Sequence, residues 1–459
     1  MFKGMKVPHT LVLLFSMMIL AYAATWVLPA GQFEMMVNDH GNEVVVPGTY
    51  SVLEEQPSLS PTVLFTAIPR ALGDAQGIIF FLFLIGGSLA VLRSTGAIDA
   101  ALGRMLNRFG NRPALLIMMG MLAFMAGSAT IGMAEEYIPL VAILITLCVA
   151  MRMDTVAAVG IMVVGYGIGY GVAMLNPFTV LVAQEVAELQ PASGWEYRTA
   201  LFIPFFLIGF HHVWSYAKKV RANPEASLVY DVVDAQPPQP SEYPGLSGRR
   251  RIILLVTLAT LVLVVWGIAK YKWYFVELGA IFTALAIVVA LLAGIRFDDA
   301  AKTFTAGAAE MTGTALLIGF ARGIALLLED GQVLHTVVSG LSAPLTLVGA
   351  ELSAVGMLFI QSILNFFIPS GSGQAYVTMP LMAPISDIVG VSRQVAVLAY
   401  QMGDGFMNMI VPTNAVLMGI LGMCGIPYDR WFKFIWPLIL KLFVAGSIVL
   451  VVAVMIGYQ

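Results

Sequence analysis

Polar strings interrupt the apolar sequence at corresponding places in its two halves, and few folds tolerate that. The first half reads GSATIGMAEEY (127–137), then a long apolar run, then MLNPFT (174–179). The second reads IPSGSGQAY (368–376), a long apolar run, then IVPTNA (410–415). In hydrocarbon, backbone amides and carbonyls must be satisfied by the protein, so such breaks survive only where they line a cavity or a protein interface. Paired interruptions in two halves of a hydrophobic chain point to a transporter's binding site. Composition fixes the solvent. Of 459 residues, 59% are hydrophobic and 11% charged, against about 25% charged in soluble domains. The chain reads as an all-α polytopic membrane protein. No basic block with interleaved aromatics suggests a nucleic-acid partner. Cys148 and Cys424 lie in apolar runs and read as small core residues.

Apolar runs that can span fall at 11–29, 77–92, 156–183, 200–217, 252–269, 275–295, 313–328, 395–420 and 434–456. Two longer segments, 113–152 and 343–389, carry the polar tips at their centres. Each is expected to be a re-entrant helical hairpin. Lys3 and Lys6 precede the first run, which reads as an uncleaved helix. The soluble segments are 31–75 and 218–251; the latter holds PPQP (237–240) and reads as a flexible cytoplasmic linker.

Charge tests this layout, because Lys and Arg favour cytoplasmic loops. With the N-terminus inside and both hairpins returning to their own side, seventeen of the 24 basic residues fall inside. Arg70, Arg198, Lys270, Lys272 and Arg393 fall outside, and Arg322 and Lys441 fall within spans. Counting either hairpin as one crossing puts everything downstream on the wrong side. The halves then have opposite orientation, although Gly96 matches Gly331, Tyr137 matches Tyr376 and Pro177 matches Pro412. The expected organisation is an N-terminal repeat (1–217) with a cytoplasm-entering hairpin (113–152) and a broken helix (156–183). After the linker (218–251), residues 252–459 form a connecting helix and an inverted repeat. That repeat has an outside-entering hairpin (343–389) and a broken helix (395–420). Such repeats bring substrate to the midplane, where half-helix ends meet.

The candidate binding residues sit at the breaks. Glu135 and Glu136 are adjacent acids at the first tip, where an ionised carboxylate needs a partner or water. Two together favour bound cations or share a proton. Ser370, Ser372 and Gln374 supply donors and acceptors at the second tip, where glycines let the chain approach a ligand. Asn176, Thr413 and Asn414 flank the prolines that break the long spans. Carbonyls freed by proline, with these side-chain oxygens, make a candidate Na⁺ site, and half-helix N-termini suit a carboxylate. Asp404 and Asn408 lie one turn apart before the second break, and Asp404 is a lone acid within a span. Arg322 reads as the partner of Asp404 or Glu310, or as a receiver of a substrate carboxylate. VGYGIGYG (164–171) continues a helix, so its glycines read as close helix packing, not as an ion filter or nucleotide loop.

At these motifs the chain resembles the YfcC-type membrane proteins, classed as basic amino acid antiporters within the C4-dicarboxylate carrier C and ion transporter superfamily. The matching strings are GMAEE (132–136), MLNPF (174–178), SGSGQA (370–375), MPL (379–381), SRQVAVLAYQMGDGF (392–406) and PTNA (412–415). The resemblance covers nearly the whole chain. It implies an elevator-type fold related to the divalent-anion symporters and aminobenzoyl-glutamate carriers, usually a homodimer in a bacterial inner membrane.

The expected function is secondary active transport of a small polar solute by alternating access. An amino acid is favoured, a basic one such as arginine or ornithine in exchange, because Glu135, Glu136 and Asp404 tilt the site acidic. The rival within the class is a C4-dicarboxylate or other organic anion carried with Na⁺ or H⁺. No cofactor is expected beyond that coupling ion. A passive channel would need a continuous pore. An intramembrane hydrolase would need a nucleophile with its base, or metal ligands, and the sequence offers no convincing set.

Overall fold

The computed structural model describes residues 10–37, 43–46, 49–101, 104, 112–130, 132–176, 178–232, 244–271, 273 and 275–459. Lys3, Lys6, Arg108, Pro177, Lys272 and the PPQP string lie outside them. The chain is mostly helical. In order, the helices of the first half are α1 (Thr10–Val27), α2 (Val63–Asp74), α3 (Gln76–Ser94), α4 (Pro113–Thr130), α5 (Val141–Ala150), α6 (Thr155–Gly171), α7 (Val180–Val186) and α8 (Trp195–Ala222). Next come α9 (Gly248–Tyr271), α10 (Phe275–Ala293), α11 (Phe297–Glu310), α12 (Thr312–Asp330), α13 (Leu334–Ser342), α14 (Ala350–Phe367), α15 (Gly371–Ile388), α16 (Arg393–Met407), α17 (Ala415–Met423) and α18 (Tyr428–Met455). Among the described residues, six helices are long and apolar enough to cross a membrane, with α11 and α12 counted as one. The pair α2–α3, bent by 57° at its junction, makes a seventh.

The breaks fall where the polar strings stand. A short 3-10 helix (Glu135–Leu140) separates α4 from α5, and residues 368–370 separate α14 from α15. The stretches between α6 and α7 and between α16 and α17 interrupt the two long spans. Each restart after the second tip has a side-chain cap. Ser370 Oγ accepts from Gly373 N (3.3 Å), and Asn414 Oδ1 accepts from Leu417 N (2.8 Å). Such caps satisfy amide groups that have no partner inside the helix.

Helices α6 and α16 are buried along nearly their whole length and pack against each other. Glycine makes the crossing possible. A Cβ on Gly405 of α16 would lie 2.3 Å from Gly171 N and 2.8 Å from Gly167 O. On alternate turns, a Cβ on Gly169 would lie 2.5 Å from Met125 O of α4. The glycines of VGYGIGYG thus serve two helix interfaces at once, as small residues do where no hydrophobic drive separates helix from lipid. Around this pair, α4 packs on α6, and α14 and α18 pack on α16. A second group holds α1, α2, α3, α10, α11 and α12, with α12 packed on α17.

Four features depart from the sequence reading. Among the described residues, segment 31–75 carries four short strands and helix α2, with Gly31–Gln32 paired to Ser51–Val52 and Met35–Val37 paired to Glu43–Val45. Helices α2 and α11 went unforeseen because they are short and polar on one side, so neither reads as a span. Part of the supposed flexible linker is docked: Ser227 donates to Asp154 Oδ2 (2.6 Å), and Arg430 pairs with Asp231 (2.7 Å). Arg198, assigned to an outside loop, is 0% exposed at the start of α8. Its guanidinium donates to Gln401 Oε1 (3.1 Å), Gln394 Oε1 (3.0 Å), Tyr458 Oη (2.7 Å) and Ser193 O (3.0 Å). Among the described residues no carboxylate pairs with it. Neutral oxygens alone carry the charge.

Candidate functional site

The first tip owes its shape to Gly132, whose φ of +80° is a left-handed conformation that L side chains rarely adopt. A Cβ there would lie 2.5 Å from the Phe178 ring and 2.8 Å from Asn176 Oδ1, so tip and broken span touch at this glycine. Tyr170, near the end of α6, donates to Gly132 O (2.5 Å). Asn176 locks the far side. Its Nδ2 donates to Ser128 O (3.0 Å), and its Oδ1 accepts from Phe178 N (2.8 Å) and Thr179 N (3.2 Å). Glu136 turns back on the chain and accepts from Ala134 N (2.9 Å). Glu135 lines a cavity.

The second tip and second break are joined by one string of hydrogen bonds. Asn414 Nδ2 donates to Asn408 Oδ1 (2.9 Å), and Asn408 Nδ2 donates to Asp404 Oδ1 (2.9 Å). Asn365 Nδ2 donates to the same Asp404 Oδ1 (3.0 Å) and to Gln374 Oε1 (3.2 Å). Gln374 Nε2 donates to Gln361 Oε1 (2.7 Å) and Gln361 O (2.8 Å). Thr413 donates to Phe366 O (2.8 Å). The one-turn spacing of Asp404 and Asn408 that the sequence displays is therefore a direct contact.

These elements surround a cavity of about 790 Å³. Glu135 and Glu136 line it from the first tip, Ser370 and Ser372 from the second, and Asn408 and Asn414 from the second break. Asn176, Gln374, Asp404 and Thr413 are buried beside it and do not line it. They hold the residues that do. Further lining comes from Asp74, Gln76 and Gly77 at the α2–α3 junction, with Phe275 of α10. Sequence reading missed that wall, along with Tyr166 and Tyr170, because a short amphipathic helix and buried tyrosines carry no polar-break signal. Arg322 pairs with Asp74 and with Glu329 (3.0 Å), not with Asp404 or Glu310. It lies on α12, so its reach is to the α2–α3 side of the cavity.

Two N-termini face this space, those of α15 and α17, with Gly371, Ser372, Ala415 and Val416 among the lining residues. Helix N-termini present free amides and partial positive charge, which suit an anionic group. The two glutamates in the same lining suit a cationic one. The same space can thus receive opposite charges.

The family model described as "DcuC: C4-dicarboxylate anaerobic carrier" matches residues 7–455. An Escherichia coli (strain K12) protein named "Putative basic amino acid antiporter YfcC" is 33% identical, with 98% of this chain and 97% of that protein covered. A Haemophilus influenzae protein is 28% identical over 98% of both chains. Among solved structures, the YdaH transporter of Alcanivorax borkumensis aligns over 98% of this chain and 99% of that one, with 15% identity and a TM-score of 0.44. By its match over nearly the full length, the chain belongs to the DcuC family of C4-dicarboxylate anaerobic carriers and is a multi-pass membrane transporter, not an enzyme.

Proposed function

We propose that this chain is a secondary active transporter that exchanges amino acids, basic ones such as arginine and ornithine foremost. The observation that carries this reading is the charge layout of the 790 Å³ cavity. Glu135 and Glu136 meet the ammonium and side-chain cation of the substrate. Ser370, Ser372, Asn408 and Asn414, with the N-termini of α15 and α17, meet its carboxylate. An α-amino acid with a second positive charge uses both ends. The name of the E. coli relative agrees with that chemistry.

Alternating access follows from the two packed groups of helices. In this reading, the α4–α5 and α14–α15 hairpins and the two broken spans move as one unit. They slide against α1–α3 and α10–α12, in the manner of an elevator, within a homodimer of the bacterial inner membrane. The hairpins are re-entrant, and the halves form an inverted repeat with the N-terminus in the cytoplasm. A second reading has a specific support: the family description names a C4-dicarboxylate, and both helix N-termini favour carboxylates. In that case the glutamates would face coupling cations.

Counterflow in sealed liposomes separates the two. Vesicles loaded with arginine should accumulate labelled arginine or ornithine and ignore succinate. Accumulation of succinate, with arginine inert, would replace the first reading by the second. Absence of counterflow by any amino acid or dicarboxylate would reject both.

A further inference from the structure

A second cavity, of about 830 Å³, shares no lining residue with the first. Its walls are the turn between α5 and α6, the last turn of α8 and the docked segment after it, with Ser227 and Tyr230. The turn closes α5 in a Schellman motif: Arg152 N donates to Val149 O (2.9 Å) and Met153 N to Cys148 O (2.8 Å). Glycine usually takes the left-handed position of that motif. Here Arg152 takes it, with a φ of +61° and its side chain exposed. A side chain kept at the expense of backbone strain points to a use for that side chain. Arg221 comes to the same turn, where its Nε donates to Met151 O (3.0 Å). Asp154 also lines the cavity, but its carboxylate is taken. Oδ1 accepts from Ala157 N (2.8 Å), and Oδ2 accepts from Ser227 (2.6 Å) and Tyr216 (2.5 Å). Among the described residues neither Arg152 nor Arg221 forms an ion pair. Thr155, in the same lining, is 2% exposed, and its Oγ1 has no hydrogen-bond partner.

We infer that Arg152 and Arg221 form a binding site for a phosphate-bearing anion, with Thr155 in its wall, between the α5–α6 turn and the segment that follows α8. Two guanidiniums at one cavity repel each other until an anion joins them. Each presents a planar fork of donors that matches phosphate oxygens in pairs, which a lysine cannot do. Two positive charges balance a phosphomonoester dianion, whereas a lone carboxylate leaves one of them uncompensated. The nearby acid does not compete, because Tyr216, Ser227 and Ala157 hold it. The positive-inside rule assigns this basic end of the bundle to the cytoplasm, and basic pockets between spans on that side take lipid headgroups. One chemistry thus has two sources, an anionic headgroup or a soluble phosphate ester. A bound phosphate would brace the turn against the docked segment, which already reaches α18 through Asp231 and Arg430. The site lies apart from the transport cavity, so it stands whether that cavity takes an amino acid or a dicarboxylate.

The test melts purified full-length protein in maltoside detergent, in sodium phosphate or sodium chloride at equal ionic strength and pH. A second pair of samples, in chloride, carries phosphatidic acid or phosphatidylcholine in the micelles at equal amounts. A saturable rise in melting midpoint with inorganic phosphate assigns a soluble ester. A rise with phosphatidic acid alone assigns a headgroup. Chloride and phosphatidylcholine should give neither. Arg152→Gly supplies the residue that the Schellman motif prefers. It should therefore melt at or above the parent in chloride, yet need about tenfold more of the effective phosphate or worse. Arg221→Gln should weaken the response similarly. Should Arg221→Gln fail to fold, Arg152→Gly decides. The inference is overturned if neither phosphate source raises the midpoint beyond its control, or if Arg152→Gly responds like the parent. It is also overturned if Arg152→Gly melts well below the parent in chloride, because the arginine would then serve the fold.

Discussion

The two tips occupy corresponding places in the chain but are built differently. The second is a capped helix start: Ser370 accepts from Gly373, Tyr400 donates to Gly371 O (2.6 Å), and Gln374 is held by Gln361 and Asn365. The first is a 3-10 turn whose N-cap residue, Ala134, offers no side-chain bond, entered through a left-handed glycine. The second tip is amide-locked and neutral; the first is acidic and held by Tyr170, Asn176, Ser128 and Tyr137 through backbone carbonyls. On the proposed reading, the difference separates two jobs. A capped, amide-bonded helix start presents fixed amides to a carboxylate with little freedom to lose. The acidic turn presents charge, and charge is where binding should be most sensitive to substitution.

The largest expected effect tests that division. Glu135→Gln and Glu136→Gln should insert and melt normally yet lower transport at least about tenfold, since charged contacts of this kind are worth a few kcal/mol. Uptake in proteoliposomes reads it. Near-parental uptake by both single variants and the double would leave the acids as solvated bystanders and erase the contrast. The converse substitution should act on stability. Gln374→Glu deletes the amide that donates twice to Gln361 and adds a buried charge, at a cost of about 1–3 kcal/mol or more. Its melting midpoint should fall clearly below that of Glu135→Gln. Equal midpoints would mean the second tip is not amide-locked.

Smaller effects sharpen the picture. Ser370→Ala removes one cap and one cavity-lining hydroxyl and should cost about 1 kcal/mol, visible as a modest melting shift, with transport lowered less than in the glutamate variants. The smallest concerns the short strands, of which Glu43–Val45 packs on α15. Phe33 N donates to His335 Nδ1 (3.2 Å), which requires that nitrogen to be unprotonated. Burial lowers the His335 pKa. Its aromatic neighbour Phe33 is uncharged, and the Tyr50 hydroxyl, which lies against Phe33, is committed to Thr336. The neutral form is favoured in the folded state, so this stabilisation is present above the ordinary histidine value of about 6.5. It is lost as pH falls through the lowered folded value. Cysteine labelling at position 35 should rise on acidification in the parent and be independent of pH in His335→Gln.

Much of this arrangement is legible from sequence because membrane depth makes polarity conspicuous. GMAEE, SGSGQA and PTNA stand out against apolar flanks, and each contributes residues to the cavity or its supports. The glycines of VGYGIGYG announce close packing, though not that two neighbours share them. What escaped has a common cause. Asn365 and Gln361 are single polar residues on helices, and their meaning comes only from what they face. Asp74 entered unnoticed because α2 is too short and too polar to look like a span. Arg322 was readable as an ion-paired residue, but its partners lie 248 positions back and 7 positions on, and sequence spacing does not choose among acids at such separations.

Arg198 carries a consequence for how the protein is made. Its guanidinium is stabilised by Gln394, Gln401 and Tyr458, all synthesised long after α8. During translation, α8 must therefore enter the bilayer with a cation near its end and none of those oxygens yet available. An arginine at the middle of an inserting helix costs about 2.5–3.5 kcal/mol; at the fourth position of α8 it can snorkel to the headgroups and wait. Biogenesis would then end with a late step in which the charge leaves the lipid surface for its amide cage as α16 and α18 arrive. Chains truncated before Gln394 should leave Arg198 parked among the headgroups.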